Sequence, residues 1–103
     1  MLATKKSRPG DVESVLRALS NPGRRALVER LKRGPAPVTE LARSLGMSLP
    51  VVSKHLKALE AAGLIDRAVL GRTHRCTLNS EPLRTLADWL GAYQVFWQDQ
   101  LAA

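Results

Sequence analysis

Residues 38–65, VTELARSLGMSLPVVSKHLKALEAAGLI, constrain this chain more than any other stretch. Their apolar spacing fits a short helix, a tight turn, and a longer helix that stops at a glycine. Thr39 is placed to cap the first helix, with Leu41, Ala42 and Leu45 as its apolar contacts. Gly46 follows, and glycine tolerates the left-handed backbone that a tight turn needs. Ser48 is placed to cap the second helix. Pro50 sits in that helix's first turn, where no backbone N–H is missed, and Gly63 ends it.

The two faces of the second helix differ in chemistry. At about 100° per residue, Val52, Leu56 and Leu59 fall on one side, and Pro50, Ser53, Lys54 and Lys57 on the other. The outer side carries two cations, a hydroxyl and no carboxylate. Lysines suit phosphates, and small polar groups suit base edges in the major groove of DNA. The bland alternative is a solvated, lysine-bearing helix. The helix before it, the turn, and the strands after it favour a helix-turn-helix whose second helix reads duplex DNA.

The charge agrees with a polyanionic partner. The 103 residues carry a formal charge of +7 and a pI near 10.5. A ribosomal or membrane-surface protein would fit that charge equally well. No stretch approaches the roughly 20 apolar residues of a membrane span, so no membrane partner is expected. The start, MLATKKSRPGD, lacks the apolar core of a signal peptide. One cysteine cannot form an internal disulfide, which points to a reducing, cytoplasmic setting. The bases are unevenly spread: residues 76–103 hold one, Arg84, against Glu81, Asp88 and Asp99. That segment is expected to face something other than phosphate.

Residues 1–10, with Lys5, Lys6 and Arg8, have no periodicity and read as a flexible basic arm. A single domain over residues 11–103 follows. Asp11 is placed to cap a helix in which Val12, Val15, Leu16 and Leu19 recur at helical spacing. Asn21-Pro22 reads as a second helix start, with Ala26, Leu27 and Leu31 buried. Arg24, Arg25, Arg30, Lys32 and Arg33 make its exposed side basic, for phosphate contact or for solubility. Gly34-Pro35-Ala36-Pro37 breaks the pattern. After Gly63 two short runs meet at Gly71-Arg72, the signature of a β-hairpin. His74, Cys76 and Leu78 share one face of its second strand, and Thr73, Arg75 and Thr77 the other. Cys76 reads as a small core residue. Such a hairpin is a wing, whose Arg72 and Arg75 are placed for phosphate or minor groove. The alternative is a solvated hairpin whose arginines blunt its edges.

Asn79-Ser80-Glu81-Pro82 starts a terminal helix over residues 81–101. Leu83, Leu86, Leu90, Tyr93, Trp97 and Leu101 form its stripe, widened by Trp89 and Phe96. So apolar a helix is expected to meet its copy in a second subunit, giving a homodimer, with support from the first helix of its own chain. The expected interface is Val12, Leu16, Leu86, Trp89, Leu90, Tyr93, Phe96 and Trp97. The expected fold is mainly α with a small β-hairpin: a winged helix-turn-helix of five helices and a two-stranded wing.

This order resembles the ArsR/SmtB family of winged-helix repressors. The resemblance rests on Leu19-Ser20-Asn21-Pro22 with Arg24-Arg25, on residues 48–56 (SLPVVSKHL), on Ala62-Gly63-Leu64-Ile65 and on Gly71-Arg72. It implies a homodimer that binds an operator palindrome and represses transcription. The implied recognition helix is 48–62 and the implied wing 70–75. The expected DNA-binding set is therefore Ser48, Leu49, Pro50, Ser53, Lys54, His55, Lys57, Arg72, Thr73 and Arg75. Metal-sensing members usually carry a cysteine pair just before the third helix. Here those positions look like Pro37 and Thr39, which cannot hold Zn²⁺. The last helix has Asp88 and Asp99 but no histidine. The resemblance is therefore to members without a metal, and no cofactor is expected.

No glycine-rich phosphate loop or paired-acid site appears, and Cys76 has no base beside it in sequence, so no enzyme is expected. Two alternatives stand beside the DNA reading. One is a winged helix used for protein or RNA interaction; the other is a metal- or redox-responsive repressor acting through Cys76.

Overall fold

The computed structural model describes residues 8–102. Most of the arm expected over residues 1–10 thus lies outside the described residues. Helix α1 spans Val12–Ala18 and α2 Pro22–Leu31. A short strand β1, Ala36–Pro37, leads into α3, Val38–Leu45, and then α4, Leu49–Ala61. The hairpin is β2, Ile65–Leu70, and β3, Thr73–Leu78. Helices α5, Glu81–Gly91, and α6, Gln94–Ala102, follow.

One feature corrects the expected architecture and another extends it. There are six helices among the described residues rather than five, because the terminal helix breaks after Gly91. At the break, Ala92 N–H donates to Trp89 O (3.3 Å) and Tyr93 N–H to Leu90 O (2.9 Å), the tighter i→i+3 pattern. Glycine is a poor helix former, so the break falls where helix propensity is weakest. The two-stranded wing, β2 and β3, is extended by β1 into a three-stranded antiparallel sheet of order β1-β3-β2. The Gly-Pro segment read as a breaker contributes β1, with Ala36 opposite Cys76 and Pro37 opposite Arg75. An edge strand is where proline is tolerated, since it lacks one ladder N–H.

Local chemistry accounts for the helix starts. The Asp11, Asn21 and Ser48 side chains accept backbone N–H bonds from Ser14, Arg24 and Val51. Thr39 is not a cap: Pro37 occupies that position on α3, and no side chain bonds its free N–H groups. Gly46 (φ 63°) and Gly63 (φ 77°) adopt the left-handed backbone at the ends of α3 and α4.

Helix α4 lies at the centre. Its Val52, Leu56 and Leu59 are wholly buried, with Val15, Leu27, Leu41, Leu64 and Cys76 around them. Leu45, Leu83 and Leu86 pack partly against this core. Helix α1 packs on α5. The entry to α1 is tied down as well: Gly10 N–H donates to Ala62 O (2.8 Å), and the Ser14 hydroxyl to Arg8 O (2.7 Å).

Candidate nucleic-acid interface

With Val52, Leu56 and Leu59 inward, α4 turns Pro50, Lys54 and Lys57 to solvent, with Leu49 exposed at its start and Ser53 half-buried. Among the described residues the ion pairs are Arg17–Glu13, Arg30–Glu40, Lys32–Glu29 and Arg67–Glu60. Lys54, Lys57, Arg72 and Arg75 enter none of them. The arginines of α2 are differently employed. Arg24 donates to Ala18 O and to Arg17 O (3.1 Å), and Arg25 to Leu19 O (2.8 Å). They satisfy the last carbonyls of α1, a use of basic side chains that the sequence reading did not consider.

The hairpin register decides where the wing residues point. Leu70 lies opposite Thr73, Val69 opposite His74, Ala68 opposite Arg75 and Arg67 opposite Cys76. Side chains alternate, so Arg67, Val69 and His74 share the face of buried Cys76 and Ile65. Arg75 lies on the other face with Ala68, Leu70 and Thr73. A cleft of about 270 Å³ opens between wing and helices, lined by Pro37, Val38, Thr39, Ser53, Arg67, Arg72, Thr73 and His74. The cleft thus brings Ser53, Arg72 and Thr73 together, and Arg75 is not part of its lining. Arg67 and His74 join the cleft although neither is in the expected DNA-binding set. The two-residue alternation that paired His74 with Cys76 was the signal that pointed there.

Arg67 also ties the wing to α4: its Nη2 lies 2.7 Å from Glu60 Oε1, with both side chains largely shielded. Glu60 is the one carboxylate of α4. It is engaged by Arg67 of the wing and pairs with neither lysine of α4.

His55 turns inward. A Cβ built on Gly23 would stand 2.8 Å from His55 Nε2, so the ring lies directly under the first turn of α2. Its Nδ1 is buried without a hydrogen-bond partner. Cys76 is wholly buried, and burial pushes its thiol up from the ordinary value, with Glu60 adding to the rise and Arg67 opposing it. A buried, protonated thiol is a poor nucleophile.

A helix-turn-helix domain model matches residues 19–68 of this chain. The solved ArsR family transcriptional regulator RHA00566 is 40% identical, with a TM-score of 0.76, and the match covers 84% of this chain and 94% of that one. The chain belongs to the ArsR family. Among curated relatives, the HTH-type transcriptional regulator Rv2034 of Mycobacterium tuberculosis is 56% identical over 48 residues, 47% of this chain and 45% of that protein. The chain spans about half the length of the first curated relatives it matches. The homodimeric winged helix-turn-helix DNA-binding domain Mb0332 of Mycobacterium bovis has the same fold, at 24% identity, with a TM-score of 0.68 and coverage of 90% and 91%. This family and fold are those of transcriptional regulators, not of enzymes.

Within the ArsR-family frame, Pro37 falls in β1 and Thr39 in the first turn of α3, and neither offers a metal donor. Among the described residues no three His, Cys, Asp or Glu side chains gather to hold a metal. No described helix is long and apolar enough to cross a membrane. One apolar surface is on α1, α5 and α6. Leu16, Trp89, Leu90, Tyr93, Phe96 and Trp97 are exposed, while Val12 and Leu86 are half-buried. Trp89 and Tyr93 meet edge to face across the break, with ring centroids 5.6 Å apart.

Proposed function

We propose that the chain is a homodimeric, sequence-specific DNA-binding repressor. The observation that carries this is the outward face of α4, where Lys54 and Lys57 stand free of ion pairs beside a wing tipped by Arg72. Cations in no ion pair among the described residues suit a phosphate backbone. Ser48, Leu49, Pro50 and Ser53 would meet base edges, and Lys54, Lys57, Arg72 and Thr73 the backbone. Arg75, outside the cleft lining, would reach phosphates flanking the wing. His55 would act indirectly, by setting α4 against α2.

The second subunit would cover α1, α5 and α6, which a monomer leaves more exposed than a soluble domain usually tolerates. We further propose a cytoplasmic location and no metal effector, because the residues at Pro37 and Thr39 lack donors.

The test is a salt titration of binding to an enriched operator duplex. Replacing Lys54 or Lys57 with Ala should weaken all duplexes alike and lower the salt slope by about one unit. Ser53→Ala should instead change which operator is preferred. Unchanged affinity in the Lys54/Lys57 double variant, or equal affinity for RNA of the same sequence, would sink this reading.

A further inference from the structure

Large apolar side chains are exposed in three places among the described residues. Leu16 goes with α5 and α6, Val69 and Leu70 lie on the wing, and Leu49 and Val51 lie in the first turn of α4. The first patch is the proposed dimer seam. The third has no such cover, and Leu49 is 51% exposed and Val51 45%.

Single apolar residues on a surface need no explanation, but two in one turn at the entry of a proposed recognition helix do. The N-terminal turn is the part of such a helix that meets base edges. Leu49 and Val51 sit roughly 160° apart about the helix axis, so they flank Pro50 and Lys54 from either side. Leu49 is on the Ser53 side and Val51 on the His55 side. Aliphatic groups placed there face an apolar feature of the groove, and duplex DNA offers one: the C5 methyl of thymine. Apart from the small C5–H of cytosine, the other base-edge groups in the major groove are hydrogen-bond donors or acceptors, which these side chains cannot satisfy.

We infer that Leu49 and Val51 read thymine methyl groups in the major groove. The inference rests on the DNA-binding reading above and names what part of the site sets specificity. It also separates DNA from RNA, because uracil lacks the methyl.

The experiment uses the whole chain and a site enriched from random duplexes. Each thymine is replaced singly by deoxyuridine, which removes the methyl and keeps every hydrogen-bonding atom. At one or two positions per half-site the replacement weakens binding about four-fold, the weight of one buried methyl carbon. Leu49→Ala and Val51→Ala each weaken the thymine site by a similar factor. Each is then indifferent to deoxyuridine at its own position, with the wild-type salt slope retained. If deoxyuridine changes nothing at any thymine, or both variants stay as sensitive as wild type, the inference fails and DNA binding stands. If no duplex is enriched at all, the DNA-binding reading fails and takes this one with it.

Discussion

Glu60→Ala removes the one carboxylate of α4 and leaves Arg67 of the wing without its partner. The contact is 2.7 Å long, and the side chains keep only 17% (Arg67) and 35% (Glu60) of their exposure. A fully exposed pair would contribute at most about 1 kcal/mol, and a hydrogen bond to a charged group about 1.5–3. With both side chains mostly shielded, the loss should be about 1–2 kcal/mol, which for a domain this size lowers the melting temperature by roughly 5–15 °C. Glu60→Gln keeps an oxygen for Arg67 and should recover part of that. The DNA readout moves differently. Removing an acid beside the groove face adds positive charge, so the salt slope should not fall. Freed from α4, the wing should lose its protection in hydroxyl-radical footprinting while methylation protection under α4 persists. A melting temperature within about 1 °C of wild type together with an intact wing footprint would show that the pair does not hold the wing.

Trp97→Glu puts a charge into the proposed seam, where each buried aromatic removes on the order of 150–250 Å² from water. It should give monomers in analytical ultracentrifugation, or unfolded chain, and abolish operator binding; a dimer that binds normally refutes the interface. Gly23→Ala places a methyl 2.8 Å from His55 Nε2 and 3.1 Å from Asn21 Oδ1, an overpacking that costs about 1–3 kcal/mol against at most about 1 returned by helix propensity. In a His55→Ala background the same change should stabilise, and a raised melting temperature in the wild-type background would mean the ring simply moves aside. Cys76 has its thiol raised above the ordinary 9.0, so the unfolded chain loses this proton first. That contribution is whole below 9.0 and is lost as pH rises through the folded value. The melting temperature of wild type should therefore fall relative to Cys76→Ala above pH 9, and parallel curves would contradict the burial argument.

Periodicity made α1 to α4 legible, because their apolar residues recur at helical spacing and three of the four carry a side-chain cap. The hairpin was legible from Gly71 and from strand alternation. What escaped has one cause: these features depend on partners in other secondary-structure elements. β1 is two residues long and exists only because β3 lies beside it. The capping of α1 by Arg24 and Arg25, and the grip of Glu60 on Arg67, join elements that no local pattern couples. His55 was in the expected DNA-binding set that the resemblance implied, while its position under Gly23 follows from how α2 lies against α4. The break after Gly91 was the exception, a local signal overridden in the reading by an apolar stripe that continued past it.

The charge and apolar distributions divide two tasks that a dimeric DNA reader must nevertheless couple. Helices α5 and α6 carry one base, Arg84, so the proposed seam holds almost none of the phosphate-binding charge. Yet the seam alone sets the distance between two recognition helices, which must lie about 34–36 Å apart to read successive major-groove faces. A continuous set of contacts runs from one to the other. α5 packs on α1, Arg24 and Arg25 of α2 hold the carbonyl end of α1, and Gly23 of α2 rests on His55 of α4. This accounts for arginines on α2 that need not touch DNA. Their hydrogen bonds fix the angle at which α1, and with it the seam, meets the helix that would enter the groove.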